Sequence, residues 1–227
     1  MSKLKLKIEI QRYARKTVLQ NIHQEYTKGL IHGFLGENGS GKTTLFNCMS
    51  GILSFTGSLF FSETDNFGYL PTELFMFPMI TGNEFLHFFV AAKDQKMKKP
   101  ELQQLNELFE LPLNEYADQY STGMLKKLYL LGLLLQHNEI LLLDEPFNGL
   151  DFKLVALVTA LLSHFREKGG TVFVASHDIE HLFSFSDTLS VLQNRNLSHY
   201  PDKESFNRLK TEIIEEAKRK VGILPFV

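Results

Sequence analysis

The sequence of 227 residues contains one cysteine, no tryptophan and no long apolar run. Since a disulfide needs two cysteines, the lone Cys48 excludes an internal disulfide framework and favours a reducing compartment. No run of about 18 apolar residues occurs, which argues against a membrane-spanning helix. The start of the chain, MSKLKLKIEI, also lacks the apolar stretch of a signal peptide. These absences predict a soluble cytoplasmic protein, or the soluble part of a larger assembly.

An excess of charge of one sign is missing as well. The chain has 24 lysines and arginines against 26 acidic residues, a net charge of −2. Without a strongly basic surface, no nucleic-acid partner is expected. The hydrophobic fraction of 44% and the charged fraction of 22% are typical of globular proteins, and the length suits a sizeable core.

Apolar periodicity predicts strands that alternate with helices. The alternating LKLKIEI indicates a strand, and its lysines favour a position at the edge of a sheet. GLIHGFL, EILLLD and TVFVAS are continuous apolar runs typical of buried parallel strands. Further strands are predicted at TVLQNIHQEY, SLFFS, FGYL, TLSVL and LSHY. The order of elements predicts an α/β fold with a mostly parallel sheet.

The stretch from about 82 to 136 is mostly helical and looks like an insertion into this fold. We expect one domain over residues 1–227. Its parts are a core at about 1–72 and 137–200, a helical subdomain at about 73–136, and a C-terminal helix at about 202–220.

A glycine-rich segment between a predicted strand and helix fits the pattern G-x-x-x-x-G-K-[ST]. Its backbone N–H groups can surround phosphate oxygens, because the glycines let the chain curl. Lys42 would contact the β- and γ-phosphates, and the Thr43 hydroxyl would bind Mg²⁺. A plain glycine turn is the alternative. The segment consists of Gly36, Glu37, Asn38, Gly39, Ser40, Gly41, Lys42 and Thr43.

Acidic residues end another predicted strand, ILLLDEP. Asp144 can approach a phosphate-bound metal, and Glu145 is placed to orient or deprotonate an attacking water. The alternative is a strand that ends in two solvated acids. His177 follows the strand VFVAS, where ligands bind in α/β sheets, although a lone histidine there is usually structural.

A second candidate anion site lies in YSTGMLKK, at the start of a predicted helix. A hydroxyl pair, a glycine and two lysines (Lys126 and Lys127) accompany the free N–H groups and the positive dipole end of the helix. The alternative is an ordinary helix start with Ser121 or Thr122 as the N-cap.

These motifs, in this order, resemble the ATP-binding subunit of ATP-binding cassette (ABC) transporters over nearly the whole chain. GENGSGKTTL is similar to the family's P-loop, ILLLDEPFNGLD to its acidic strand and following aspartate loop, and VASHD to its histidine switch. YSTGM stands at the signature sequence, usually LSGGQ, and RYARKTVL carries Tyr13 at the position of the adenine-stacking aromatic. The resemblance implies a P-loop NTPase, RecA-like core with an N-terminal antiparallel β portion and an inserted helical subdomain.

The resemblance also implies roles for single residues. Glu145 is the base, His177 senses the γ-phosphate, and Asp144 serves Mg²⁺ through water. Two cassettes face each other head to tail, so each ATP is shared. The signature residues that reach across are Ser121, Thr122, Gly123 and Met124, with Asp151 in the interface loop. Nucleotide-binding residues are Tyr13, Gly36, Glu37, Asn38, Gly39, Ser40, Gly41, Lys42, Thr43 and Thr44.

The implied function is ATP hydrolysis by a homo- or heterodimer that drives a separate integral-membrane permease from the inner face of the cell membrane. The YSTGM form is similar to that of many exporters. A soluble cassette ATPase in assembly or translation is the alternative, and a binding-only regulatory cassette is a third possibility. Asp151 could equally be only the N-cap of the helix that follows it.

The chain departs from the family pattern at two places. Thr72 stands where the family has a glutamine that contacts metal and water, and the segment 52–68 is shorter than the usual strand-rich arm. After Thr72 comes a stretch with five phenylalanines, in the region that receives a helix of the permease in this family. We expect most of them to lie in the core and one or two to be exposed: Phe75, Phe77, Phe85, Phe88 and Phe89.

Overall fold

The computed structural model of the chain describes residues 3–60 and 66–222. Within these ranges the strands are β1 (Lys3–Tyr13), β2 (Lys16–Thr27), β3 (Ile31–Leu35), β4 (Thr56–Phe60), β5 (Phe67–Leu70), β6 (Ile140–Asp144), β7 (Thr171–Ser176), β8 (Thr188–Gln193) and β9 (Asn196–Tyr200). The last two residues of the predicted strand SLFFS, Phe61 and Ser62, lie outside the described residues.

The helices follow the strands in the expected alternation. They are α1 (Lys42–Met49), α2 (Gly82–Ala91), α3 (Lys99–Phe109), α4 (Thr122–Leu135), α5 (Phe152–Glu167), α6 (Ile179–Phe185) and α7 (Lys203–Gly222), with a short 3₁₀ turn at Ala117–Gln119. None of the helices in the described ranges is long and apolar enough to cross a membrane.

The larger sheet has the strand order β5-β6-β7-β3-β8-β9. Its strands are parallel except for β9, which pairs antiparallel with β8. Every residue of β3, β6 and β7 is buried, as their continuous apolar sequences predict. The predicted α/β class with a mostly parallel sheet is confirmed. Since parallel strands end on the same edge, Leu35, Asp144 and Ser176 open onto one side of the sheet.

The smaller sheet is antiparallel and has the order β2-β1-β4. The prediction that β1 is an edge strand is wrong, because β1 lies between β2 and β4. Its lysines mark the solvent face of the sheet instead: Lys3 and Lys5 pair with Glu25 at 2.7 and 3.2 Å. On the opposite face Leu4, Leu6 and Ile8 are buried.

The helices α2, α3 and α4 occupy the chain between β5 and β6. Thr81 and Glu84 form a capping box that starts α2. Phe85 of α2 is buried and packs on Tyr129 of α4, with ring centroids 4.9 Å apart. More phenylalanines are exposed than expected, because Phe75, Phe77 and Phe88 all face solvent rather than one or two of the five.

A buried histidine lies between the sheets. His32 Nε2 donates to the carbonyl of Thr27 at 2.9 Å, and Nδ1 accepts from the Thr188 hydroxyl at 2.8 Å. Its ring packs on Tyr26 and Phe173, with centroids 4.9 and 5.0 Å away. Burial lowers the pKa of His32 to about 4, because the charged form would lose its hydration.

This histidine predicts a loss of stability in acid. An unfolded histidine has a pKa near 6.5, so the unfolded state binds the extra proton as pH falls from about 6.5 to 4. The free energy of unfolding should fall over that window by up to about 3 kcal/mol. Urea unfolding at several pH values measures this slope. His32→Gln should flatten it, whereas His87→Gln, at an exposed histidine, should not; equal slopes for wild type and His32→Gln would contradict the assignment.

Candidate functional site

Residues 36–41 connect β3 to α1 in a compact loop. Gly39 and Gly41 have φ angles of +80° and +109°, in a region that side chains disfavour. A Cβ at Gly36 would lie 2.5 Å from Ser40 Oγ and 2.9 Å from the carbonyl oxygen of Leu192. The loop therefore requires glycine, and its backbone is open to a close-fitting ligand.

The N-terminus of α1 suits an anion. Its N-cap, Gly41, offers no side-chain oxygen to the first-turn N–H groups, whereas side chains cap α2, α4, α5 and α6. The buried Ser40 Oγ has no hydrogen-bond partner within the described residues. Uncapped N–H groups and the helix dipole favour a phosphate at this position.

Lys42, Glu145 and His177 meet at this loop. The ammonium of Lys42 donates to the carbonyls of Gly36 at 2.7 Å and Glu37 at 3.3 Å, and it lies 3.4 Å from Glu145 Oε1. The other carboxylate oxygen of Glu145 lies 3.0 Å from His177 Nδ1. Lys42 and Glu145 are only 6% and 7% exposed, so this contact has little competition from water.

The sheet register explains why these distant residues meet. Asp144 pairs with Ala175 across β6 and β7, and the N–H of Glu145 donates to the carbonyl of Ala175 at 2.9 Å. Glu145 has a φ of +50°, which is uncommon for a residue other than glycine. Such strained backbone is often found at functional sites. Here it accompanies a side chain directed at the glycine-rich loop.

Asp144 is fully buried, and Thr72 holds one of its oxygens. The Thr72 hydroxyl donates to Asp144 Oδ2 at 2.7 Å, because Leu70 of β5 pairs with Leu143 of β6 just before both residues. Asp144 Oδ1 has no hydrogen-bond partner among the described residues. A buried carboxylate oxygen without a partner fits the oxygen ligands that Mg²⁺ prefers.

The segment Ser121–Met124 forms the exposed start of α4. Ser121 is the N-cap, and its Oγ accepts from the N–H of Met124 at 3.3 Å. No hydrogen bond or ion pair within the described ranges joins residues 121–124 to residues 36–44 of the same chain. The two candidate anion sites are therefore separate features of one chain.

The two lysines after this segment donate to backbone carbonyls, whereas the sequence interpretation assigned them to an anion site. Lys126 donates to the carbonyls of Glu145 at 2.7 Å and Asn148 at 2.6 Å, and Lys127 donates to the carbonyl of Phe109 at 3.0 Å. Lys126 faces inward one turn into an apolar helix. Its burial lowers its pKa, while the charges of Glu145 and Asp144 oppose that shift.

Asp151 and Tyr13 lie at element ends. Asp151 Oδ1 accepts from the N–H of Leu154 at 2.9 Å, so it caps α5. Tyr13 ends β1 opposite Lys16 and is half exposed. Sequence reasoning did not find the contacts of Lys126. The only signal was a lysine within the apolar helix LKKLYLLGLLL.

Comparison with known proteins identifies the family. A family model described as ABC transporter matches residues 19–148. An uncharacterised ABC transporter ATP-binding protein of Methanocaldococcus jannaschii is 30% identical over 215 residues, which cover 91% of this chain and 80% of that protein. The aliphatic sulfonates import ATP-binding protein of Bacillus subtilis is 30% identical, covering 84% of this chain and 78% of its own length.

The fold is shared with solved cassettes. A dimeric ATP-binding cassette in a post-hydrolysis state, bound to ADP and Pi, superimposes with a TM-score of 0.77. It is 21% identical, and the match covers 87% of this chain and 98% of that chain. The family match spans more than half of the described chain and includes the glycine-rich loop, Asp144 and Glu145. The chain belongs to the ABC transporter family, as an ATP-binding ATPase cassette.

Proposed function

We propose that this cassette hydrolyses ATP within a dimer and that the reaction drives a separate membrane permease. The observation that carries the hydrolytic part is the contact of Glu145 with both Lys42 and His177 at the glycine-rich loop. A carboxylate that lies beside the phosphate-binding lysine is well placed to act on a water next to a bound γ-phosphate.

The ion pair suggests how nucleotide binding would activate the base. Phosphate groups attract the Lys42 ammonium more strongly than loop carbonyls do, because phosphates are ionised and carbonyls are neutral. When Lys42 moves to the β- and γ-phosphates, the Glu145 carboxylate loses its cationic neighbour. Glu145 then accepts a proton from water as the water oxygen bonds to the γ-phosphorus and the bond from that phosphorus to ADP breaks. His177, 3.0 Å from Glu145, orients the carboxylate and senses the γ-phosphate.

The remaining nucleotide contacts follow the loop geometry. Residues 36–44 would hold the phosphates, Tyr13 would stack on adenine, and Thr43 and Asp144 would hold Mg²⁺, with Asp144 acting through water. Mg²⁺ held there would neutralise part of the negative charge of the phosphates. Thr72, which donates to Asp144, would fix the direction of that carboxylate.

The dimer would place Ser121–Met124 of one subunit on the γ-phosphate held by the other. Support comes from the exposure of Ser121 and Thr122 and from the dimeric state of the solved cassette named above. Asp151 would lie in the same interface. Phe152 beside it is 86% exposed, an unusual position for a large apolar side chain, which a second subunit would cover.

The permease would dock on an exposed aromatic patch formed by Phe75, Phe77 and Phe88. Their neighbouring ring centroids are 5.0 and 6.0 Å apart, and Tyr129 OH donates to the carbonyl of Phe75. An amphipathic helix buries its apolar face against such a surface. The patch supports a helix of the permease as the partner, and we propose that the cassette attaches through it to the inner face of the cell membrane.

Two observations concern the direction of transport. The YSTGM form favours an exporter, whereas one relative is an import protein. We propose export. We also propose that the core at about 1–72 and 137–200 binds the nucleotide and that the helical subdomain at about 73–136 binds the permease. Substrate loading of vesicles that contain the co-purified permease distinguishes the two directions.

The hydrolytic proposal predicts a separation of binding from turnover. Glu145→Gln should keep ATP binding and lower turnover by about 10²–10⁴-fold, because the amide cannot accept the proton. Lys42→Ala should weaken both. Fluorescent-nucleotide titration and phosphate release measure the two quantities. Wild-type turnover in Glu145→Gln would mean that the base lies elsewhere.

Thr72 predicts a change in Mg²⁺ dependence. Thr72→Val removes the hydrogen bond to Asp144 but keeps the side-chain shape, so half-maximal Mg²⁺-dependent ATP binding should need about tenfold more Mg²⁺. Thr72→Ser keeps the hydroxyl and should resemble wild type. Identical magnesium titrations for Thr72→Val and Thr72→Ser would show that this hydrogen bond does not tune the metal site.

A further inference from the structure

Lys126 is a buried charge, and both of its hydrogen bonds within the described residues go to one loop. It is 3% exposed, and its ammonium donates to the carbonyls of Glu145 and Asn148 at 2.7 and 2.6 Å. Burial of an ammonium is costly unless its protons find acceptors. The two carbonyls meet that need, and both belong to the segment that directly follows Asp144.

The same loop also packs on the exposed start of α4. A Cβ at Gly123 would lie 3.5 Å from the carbonyl oxygen of Gly149, and one at Gly149 would lie 4.0 Å from Thr122. Gly149 has a φ of +77°, and the N–H of Asn148 donates to the carbonyl of Glu145 at 3.4 Å. Residues 145–149, here called the acid loop, therefore meet the start of α4 in two places: at the Lys126 ammonium, and where Gly149 lies beside Thr122 and Gly123.

We propose that Lys126 is a positioning residue that ties the acid loop to the start of α4, so that Glu145 of one ATP site and Ser121–Met124 of the neighbouring site move together. This inference rests on the proposed dimer. Glu145 acts on the nucleotide of its own subunit, whereas Ser121–Met124 contact the partner's nucleotide. A rigid link between them connects the two shared sites through one side chain.

The link acts on the backbone of the catalytic residue. The φ of +50° at Glu145 directs its carboxylate toward Lys42, and such a backbone needs support from its surroundings. Lys126 supplies part of that support at the Glu145 carbonyl itself. Small displacements of a reacting group are costly, because catalysis depends on its alignment with the substrate.

Four variants test the link. Lys126→Met keeps the apolar stem and removes the donors, and Lys126→Gln is one bond shorter and cannot reach both carbonyls. Lys126→Arg restores charge and donors. Lys127→Met is the matched control, since Lys127 is the next residue of α4 and also donates to a backbone carbonyl, that of Phe109.

Each variant is measured for unfolding temperature, nucleotide affinity of the monomer, turnover, and ATP-induced dimerisation in the Glu145→Gln background. Lys126→Met and Lys126→Gln should bind nucleotide within about twofold of wild type but turn over about 10- to 100-fold more slowly. They should need about tenfold more ATP for dimerisation. Lys126→Arg should recover most of the turnover and most of the ATP-induced dimerisation, and Lys127→Met should match wild type in both.

Two results would overturn the inference. One is a folded Lys126→Met or Lys126→Gln that turns over and dimerises like Lys127→Met. The other is a loss of monomer affinity as large as in Lys42→Ala, which would make Lys126 a support of the nucleotide site alone. If Lys126→Met fails to fold, Lys126→Gln decides. Glu145→Gln is measured in parallel and tests the proposed function separately. If it hydrolyses ATP normally, the proposed function is wrong. If it does not, the Lys126 variants alone decide whether the link exists.

Discussion

The contact between Lys42 and Glu145 is the interaction on which the site depends. It joins the glycine-rich loop after β3 to the end of β6, and both residues are buried where the contact forms. Parallel pairing of β3, β7 and β6 makes it possible, because these strands end on one edge of the sheet. His177 joins from the end of β7 through the other oxygen of Glu145. Local sequence thus supplies the groups, and the sheet register brings them together.

Much of this was predictable, because the signals are local. Continuous apolar runs predict β3, β6 and β7. The spacing of the glycines predicts the glycine-rich loop, because the backbone of that loop leaves no room for larger side chains at some of these positions. Contacts between distant parts of the chain were not predictable from these local signals. The lysines of β1 suggested an edge, but they mark the solvent face of a central strand. Lys126 suggested an anion site, but burial directs it to carbonyls that lie about 20 residues away in sequence.

Two contacts extend outward from the acids Asp144 and Glu145. Thr72 joins Asp144 to the segment that carries the aromatic patch, and Lys126 joins Glu145 to the start of α4. Asp151 caps α5 beside the exposed Phe152. The aromatic patch begins three residues after Thr72, and the segment Ser121–Met124 ends two residues before Lys126. Short connections of this kind can pass the state of the nucleotide to the dimer interface and to the permease.

Cysteine cross-linking tests the shared site most directly. The native Cys48 is buried, and burial raises the pKa of its thiol to about 12, so it is a poor reactant. Asn38→Cys and Thr122→Cys introduce exposed thiols in the glycine-rich loop and in the start of α4. In the Glu145→Gln background, with ATP and a short bis-maleimide, the double-cysteine variant should form a covalent dimer. Neither single-cysteine variant should form this dimer, and the double-cysteine variant should not form it when it also carries Lys42→Ala. A cross-link within one chain, or no ATP-dependent dimer, would contradict the account.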